Sequence, residues 1–262
     1  MQDVLSSGVS ERVHYILSGT FNTLCMYVLA FTPAKALLEV SHRVQGNGPH
    51  QYLALDGHRS TAYATTWAQP PELSSWRVLE GGSGGVELLN TVPITATSSY
   101  ISTWQDKFVY SAGGPTGELH RLDPETHAFG EKLQQFLYVD SEEQLEKEDK
   151  TRVALRYGSH GIDISSRNQV FVPHLGHNSI FMYDLDAETG MLTEVANVPS
   201  YGDGHDAPRH NVPSPDGNFL FAVTEHTSFV DVYRVLPKTL KHVQRVSVLP
   251  NGACGAVTSR KG

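Results

Sequence analysis

A strand-rich unit recurs along this chain at a spacing of roughly 50 residues, and that period limits the fold more than any single motif does. Five apolar runs each stop at a turn: CMYVLAF before Thr32-Pro33-Ala34-Lys35, SSWRVL before Gly81-Gly82-Ser83-Gly84-Gly85, ELHRL before Asp123-Pro124-Glu125-Thr126, IFMYDL before Asp186-Ala187-Glu188-Thr189-Gly190, and VDVYRVL before Pro237-Lys238-Thr239. Another strand-like run follows every turn: LLEVSHRV, VELLNTV, EKLQQFLYV, LTEVANV and LKHVQRVSVL. Such pairs are hairpins. A further aromatic or β-branched run precedes each hairpin (HYILSGTF, TAYATTW, KFVYSAG, QVFVPHL, FLFAVTE). In four of the five units one more precedes that: QYLALD, ATSSYIST, HGIDIS and RHNVPS. Four strands per unit at this period predict sheets repeated radially, the blades of a β-propeller. The expected fold class is therefore all-β, with one propeller domain over residues 1–262.

The first unit lacks its innermost strand, and the chain reaches Asn251-Gly252-Ala253-Cys254-Gly255 where another unit should begin. A propeller closes by pairing its first and last strands, which removes exposed edges. The pattern thus predicts an incomplete ring, four full blades and one partial blade, about two blades short if the ring has seven. Open edges at both ends predict poor solubility for the chain alone. Helix is expected only over residues 141–150, SEEQLEKEDK, where Ser141 and Gln144 fit a capping box. The segment is nearly all polar and reads as a charged, solvated insertion between blades.

Composition excludes several partners. The net charge is −8 and no Lys/Arg cluster occurs, which argues against nucleic acid. The apolar stretch at 15–31 is interrupted by Ser18, Gly19, Thr20, Asn22 and Thr23, too polar and short for a membrane span, and no secretory signal is evident. Cys25 and Cys254 could pair, but two cysteines in 262 residues fit a reduced, cytoplasmic chain better. Oligomeric state leaves no mark in the pattern.

Innermost strands of a propeller converge on an axial channel, so polar residues at one end of successive strands meet there. His160 opens HGIDIS, Arg209 opens RHNVPS, and Glu225 closes the antiparallel neighbour FLFAVTE at the same end as Arg209. An imidazole, a guanidinium and a carboxylate facing one pocket make an acid/base set with an anion clamp. A plain Arg209–Glu225 salt bridge, with His160 bonded to a loop carbonyl, accounts for the same residues without chemistry.

Residues 158–235, with GSHGIDIS and DAPRHNVPSPDGNFLFAVTEH, resemble the fungal carboxymuconate cyclases (3-carboxy-cis,cis-muconate lactonizing enzymes) of the seven-bladed propeller lactonase family, which also includes a 6-phosphogluconolactonase. The resemblance implies His160, Arg209 and Glu225 as catalytic residues, and a second arginine from a later blade beyond Gly262. It implies cyclisation of 3-carboxy-cis,cis-muconate in aromatic catabolism, with His160 as the acid and Glu225 as its partner. Lactone hydrolysis is the alternative within the family. Either way the substrate is a small polycarboxylate or lactone, with no metal and no organic cofactor.

Other signals have plainer readings. Gly81-Gly82-Ser83-Gly84-Gly85 matches G-x-S-x-G but falls on a hairpin turn rather than a strand-to-helix elbow. His174 and His177, with His205 and Asp206, could compose a metal site, yet thirteen histidines produce such spacings by chance. Trp67, Trp76 and Trp104 are expected to pack between blades rather than serve as stacking platforms. Since fold does not dictate chemistry, a noncatalytic interaction scaffold is the reading from another class.

Overall fold

The computed structural model describes residues 11–250 apart from residue 203. Its first sheet has three strands, β1 (His14–Ser18), β2 (Cys25–Thr32) and β3 (Leu37–Gln45). Each later sheet has four. They are β4 (His50–Leu55), β5 (Thr61–Thr66), β6 (Glu72–Val78), β7 (Val86–Pro93); then β8 (Tyr100–Trp104), β9 (Phe108–Gly113), β10 (Thr116–Leu122), β11 (Phe129–Leu137). The fourth sheet is β12 (Asp163–Ile164), β13 (Gln169–His174), β14 (Ser179–Leu185), β15 (Leu192–Pro199), and the fifth is β16 (Pro208–Pro213), β17 (Phe219–Thr224), β18 (Phe229–Leu236), β19 (Thr239–Ser247). Strand order follows chain order in every sheet, as a repeat of hairpins requires. The all-β propeller architecture read from the period is the observed one.

The repeat is physical as well as sequential. All five outer hairpins slip register at the same place, between Val28 and Leu29, Ser75 and Trp76, Leu119 and His120, Met182 and Tyr183, and Val232 and Tyr233. A bulge there increases local twist. Neighbouring sheets are latched by recurring polar bonds. Asn90 donates to the Phe129 carbonyl at 2.8 Å and accepts from its N–H at 3.1 Å. One sheet on, Gln134 makes the same pair of bonds with Leu192, both at 2.9 Å. Tyr63 reaches the His127 carbonyl at 2.8 Å, and Tyr110 reaches that of Gly190 at 2.6 Å. Each hydroxyl thus ties a second strand to the next sheet's outer turn.

Apolar faces between sheets form the core. Trp76 packs with Met26 and Val28, Tyr63 with Ile101 and Val109, Tyr110 with Val170 and Val172, and Phe171 with Leu220 and Tyr233. Burying one such side chain is worth about 1.5–3 kcal/mol. On the end sheets apolar side chains stay exposed, among them Leu38 and Val40 on β3 and Val212 and Val243 on β16 and β19. The expected start of a further unit at 251–255, and the Cys25–Cys254 pairing, lie outside the described residues.

Two elements differ from expectation. The helix α1 covers only Glu142–Lys147, because Glu148 turns extended. Ser141 accepts from the Gln144 N–H at 3.2 Å, but Gln144 reaches back to the Asp140 N–H rather than closing the box on Ser141. Nor is the insertion wholly solvated, since Leu145 is buried; beyond it a 3-10 turn at Arg152–Arg156 buries Leu155. The innermost strand of the fourth sheet shrinks to Asp163–Ile164. Its partner strand contains Pro173, which has no N–H to continue the ladder. The chain ahead of it, at Ser159, bridges both Gly114 and His174 instead.

Candidate active site

That detour positions His160. A Cβ on Gly158 would lie 2.2 Å from the Gly114 Cα, so only glycine lets the segment press this close to the third sheet. The His160 N–H then donates to the Pro173 carbonyl at 3.1 Å, and its ring turns toward the fifth sheet. Arg209 and Glu225 arrive as the antiparallel pairing of β16 with β17 dictates.

The three expected residues come together. Arg209 donates from Nη2 to His160 Nε2 at 3.2 Å, and its Nε forms an ion pair with Glu225 Oε2 at 2.7 Å. A second donor, Nη1, reaches His210 Nε2 at 3.0 Å, a partner the sequence reading missed. Because a guanidinium only donates, Nε2 of His160 is the acceptor and the ring proton sits on Nδ1. That Nδ1 is buried without a partner. Burial chiefly, with the Arg209 charge adding to it, pushes the His160 pKa down to about 3, and the same causes bring His210 to about 4. His160 is therefore neutral at pH 7 before any ligand arrives: the low dielectric and the neighbouring cation both oppose the imidazolium.

The group borders a cavity of about 370 Å³ whose other walls include Phe21, Gln51, Trp67, Arg152 and Arg156. Trp67 departs from the packing role expected of it. Its indole N–H donates to Gln51 Oε1 at 2.6 Å, and the Arg152 guanidinium carbon lies 5.0 Å from its ring centroid. Trp76 is buried in the core, and Trp104 stacks on Phe108. Arg152 and Arg156, on the 3-10 turn after α1, escaped sequence reasoning because they belong to no repeated strand. Nearer the axis, Tyr52 stacks on Tyr100, whose hydroxyl donates to Asp163 Oδ1 at 3.0 Å. Burial raises the Asp163 carboxyl to about 7.

The remaining signals lie elsewhere. Ser83 bonds the Glu80 carbonyl at 2.9 Å on its hairpin turn. His174 and His177 border one pocket, while His205 and Asp206 border another, where Asp206 meets Arg245 at 2.6 Å. Among the described residues no group of three or more His, Cys, Asp or Glu is placed to hold a metal ion, and no helix is long and apolar enough to cross a membrane.

Buried histidines set a pH dependence. His50, His120 and His210 are lowered to about 4, and His160 and His174 to about 3, each chiefly by burial. Below pH 6.5 the unfolded chain binds protons these rings refuse, so stability falls as pH drops toward 4, by up to about 1.4 kcal/mol per pH unit for each proton. Asp163, raised to about 7, opposes one of the five, because its folded form takes up a proton first. Urea midpoints measured from pH 7 to 4 should fall steadily; a flat profile would contradict the burial of these rings.

The chain is similar to several known proteins. Over 232 residues the chain is 32% identical to muconate cycloisomerase 1 of Cutaneotrichosporon cutaneum, covering 87% of this chain and 61% of that protein. It is 34% identical over 96 residues to the 6-phosphogluconolactonase of Erwinia tasmaniensis, 36% of this chain and 29% of that one. The chain thus spans less than two thirds of either relative. The periplasmic gluconolactonase of Pseudomonas aeruginosa superposes with a TM-score of 0.76 at 18% identity, over 92% of this chain and 70% of that one, a likeness of fold. Residues 16–260 match the family described as lactonase, 7-bladed β-propeller, and with nearly all the described strands inside that span the chain belongs to this family.

Proposed function

We propose that the cleft carries lactone chemistry on a small polycarboxylate, and specifically the ring closure of 3-carboxy-cis,cis-muconate. The observation that carries this reading is that one guanidinium bonds His160 at 3.2 Å and pairs with Glu225 at 2.7 Å at the edge of an open cavity. The muconate cycloisomerase named among the relatives supports it.

A substrate carboxylate oxygen adds to a carbon of a double bond, forming the C–O bond of a five-membered lactone as the C=C π bond breaks. Negative charge builds on the neighbouring carbon and its carboxylate, and Arg209 stabilises it. Incoming carboxylates offset the Arg209 charge beside His160 and raise the imidazole toward its ordinary range, so the ring takes up a solvent proton and delivers it to that carbon. Glu225 keeps Arg209 aligned. These steps need no metal or organic cofactor. Lactone hydrolysis is the second reading, favoured by the identity to a 6-phosphogluconolactonase.

Loss of the ultraviolet absorbance of 3-carboxy-cis,cis-muconate tests the reading, run beside hydrolysis of 6-phosphogluconolactone. Wild type should consume the muconate, and His160→Ala should lower kcat by about 10²–10⁴-fold while staying folded. Consumption of the lactone alone would shift the assignment to hydrolysis. Turnover of neither, by a folded chain, would leave an interaction scaffold.

A further inference from the structure

Arg209 is a crowded cation. Two of its N–H groups already bond His160 and His210, and Glu225 pairs with its charge. An entering carboxylate must share this guanidinium with three standing partners. Across the cleft stand two arginines with no such engagement. Arg152 and Arg156 both border the cavity, and neither side chain has a hydrogen bond or ion pair among the described residues. Both are exposed and ride on the 3-10 turn that follows α1, anchored below by buried Leu155. Arg152 lies over the face of Trp67, 5.0 Å from the ring centroid. Trp67 in turn is held by Gln51 at 2.6 Å and by Phe21, whose ring centroid is 5.2 Å away. Stacking of this kind fixes a guanidinium while leaving its edge donors free. Among the charged groups on the cleft, three guanidinium groups face one carboxylate. That surplus suits a ligand carrying two or more negative charges.

We infer that Arg152 and Arg156 form a second carboxylate subsite, supplied by the 3-10 turn between the third and fourth sheets, and that this subsite sets a preference for substrates with two or more carboxylates. The inference rests on reading the cleft as the site of lactone chemistry. Both arginines are substrate-positioning residues: one carboxylate docks between them while another part of the same molecule lies against Arg209 and His160. Trp67 keeps the subsite in place and offers a flat wall to a planar, conjugated chain. This 3-10 turn, outside the repeat, thereby becomes the element that tunes specificity.

Calorimetric titration with tricarballylate tests this apart from turnover, with acetate as the monocarboxylate control. Arg152→Gln and Arg156→Gln should each weaken tricarballylate about tenfold, and together more, with acetate unchanged, since a charge-assisted bond is worth about 1.5–3 kcal/mol. The same variants should raise KM for 3-carboxy-cis,cis-muconate with kcat little changed, and unfold at the wild-type temperature. Trp67→Leu should weaken tricarballylate in the same sense through the loss of the Arg152 platform. If wild type binds tricarballylate through both arginines yet consumes no muconate, the subsite stands and the assigned reaction falls. If wild type consumes muconate and both variants keep its KM and the tricarballylate affinity, the subsite falls and the reaction stands. Wild type that neither binds nor reacts overturns both.

Discussion

Arg209→Ala should cut turnover of 3-carboxy-cis,cis-muconate by about 10²–10³-fold, the usual cost of removing a donor aimed at developing negative charge. The fold should survive. The Arg209–Glu225 pair is partly exposed, with side chains 38% and 46% accessible, and such pairs contribute about 0–1 kcal/mol. A second readout separates clamp from scaffold. Arg209 is one of the causes that hold the His160 pKa down to about 3, so removing its charge should raise the imidazole. Burial is the larger cause and remains, so the rise should stop short of the ordinary 6.5. Histidine ring-proton NMR across a pH titration reads this directly. An unmoved His160, or turnover within threefold of wild type, would contradict the coupling.

Phe171→Ala should be the most damaging core change near the site, costing about 3–5 kcal/mol as a lower urea midpoint. Phe171 is fully buried in β13, packs against Leu220 and Tyr233 of the fifth sheet, and is paired in register with Asp163 of β12. Its loss opens a cavity between the two sheets that carry His160 and Arg209, so binding of tricarballylate should weaken in parallel. Phe221→Ala is the matched control. Phe221 is 42% exposed, so it should move stability by about 0.5 kcal/mol or less. Equal effects from the two would mean that the packing between these sheets is not what positions the site.

The fold was legible because turn chemistry recurs with the strands. Asp123 accepts from the N–H groups of Glu125 and Thr126, and Asp186 from those of Glu188 and Thr189, so the DPET and DAET tetrads make one turn twice. Antiparallel neighbours likewise made the Arg209–Glu225 meeting predictable. Pro173 could have announced the short β12, since proline cannot donate to a ladder. What stayed hidden depends on three-dimensional burial or lies outside the repeat. Nothing in HGIDIS shows that His160 is desolvated and neutral. Arg152 and Arg156 sit in a segment with no strand periodicity, and Trp67 reads as core until its Gln51 and Arg152 partners are seen.

Product analysis after reaction in D₂O probes the assigned chemistry at the bond where it acts. Incubated with 3-carboxy-cis,cis-muconate, the protein should yield a lactone one deuterium heavier, the label lying on the carbon next to the new C–O bond by NMR. Unchanged substrate from a folded protein, or a lactone without label on that carbon, would contradict ring closure with proton delivery from this cleft.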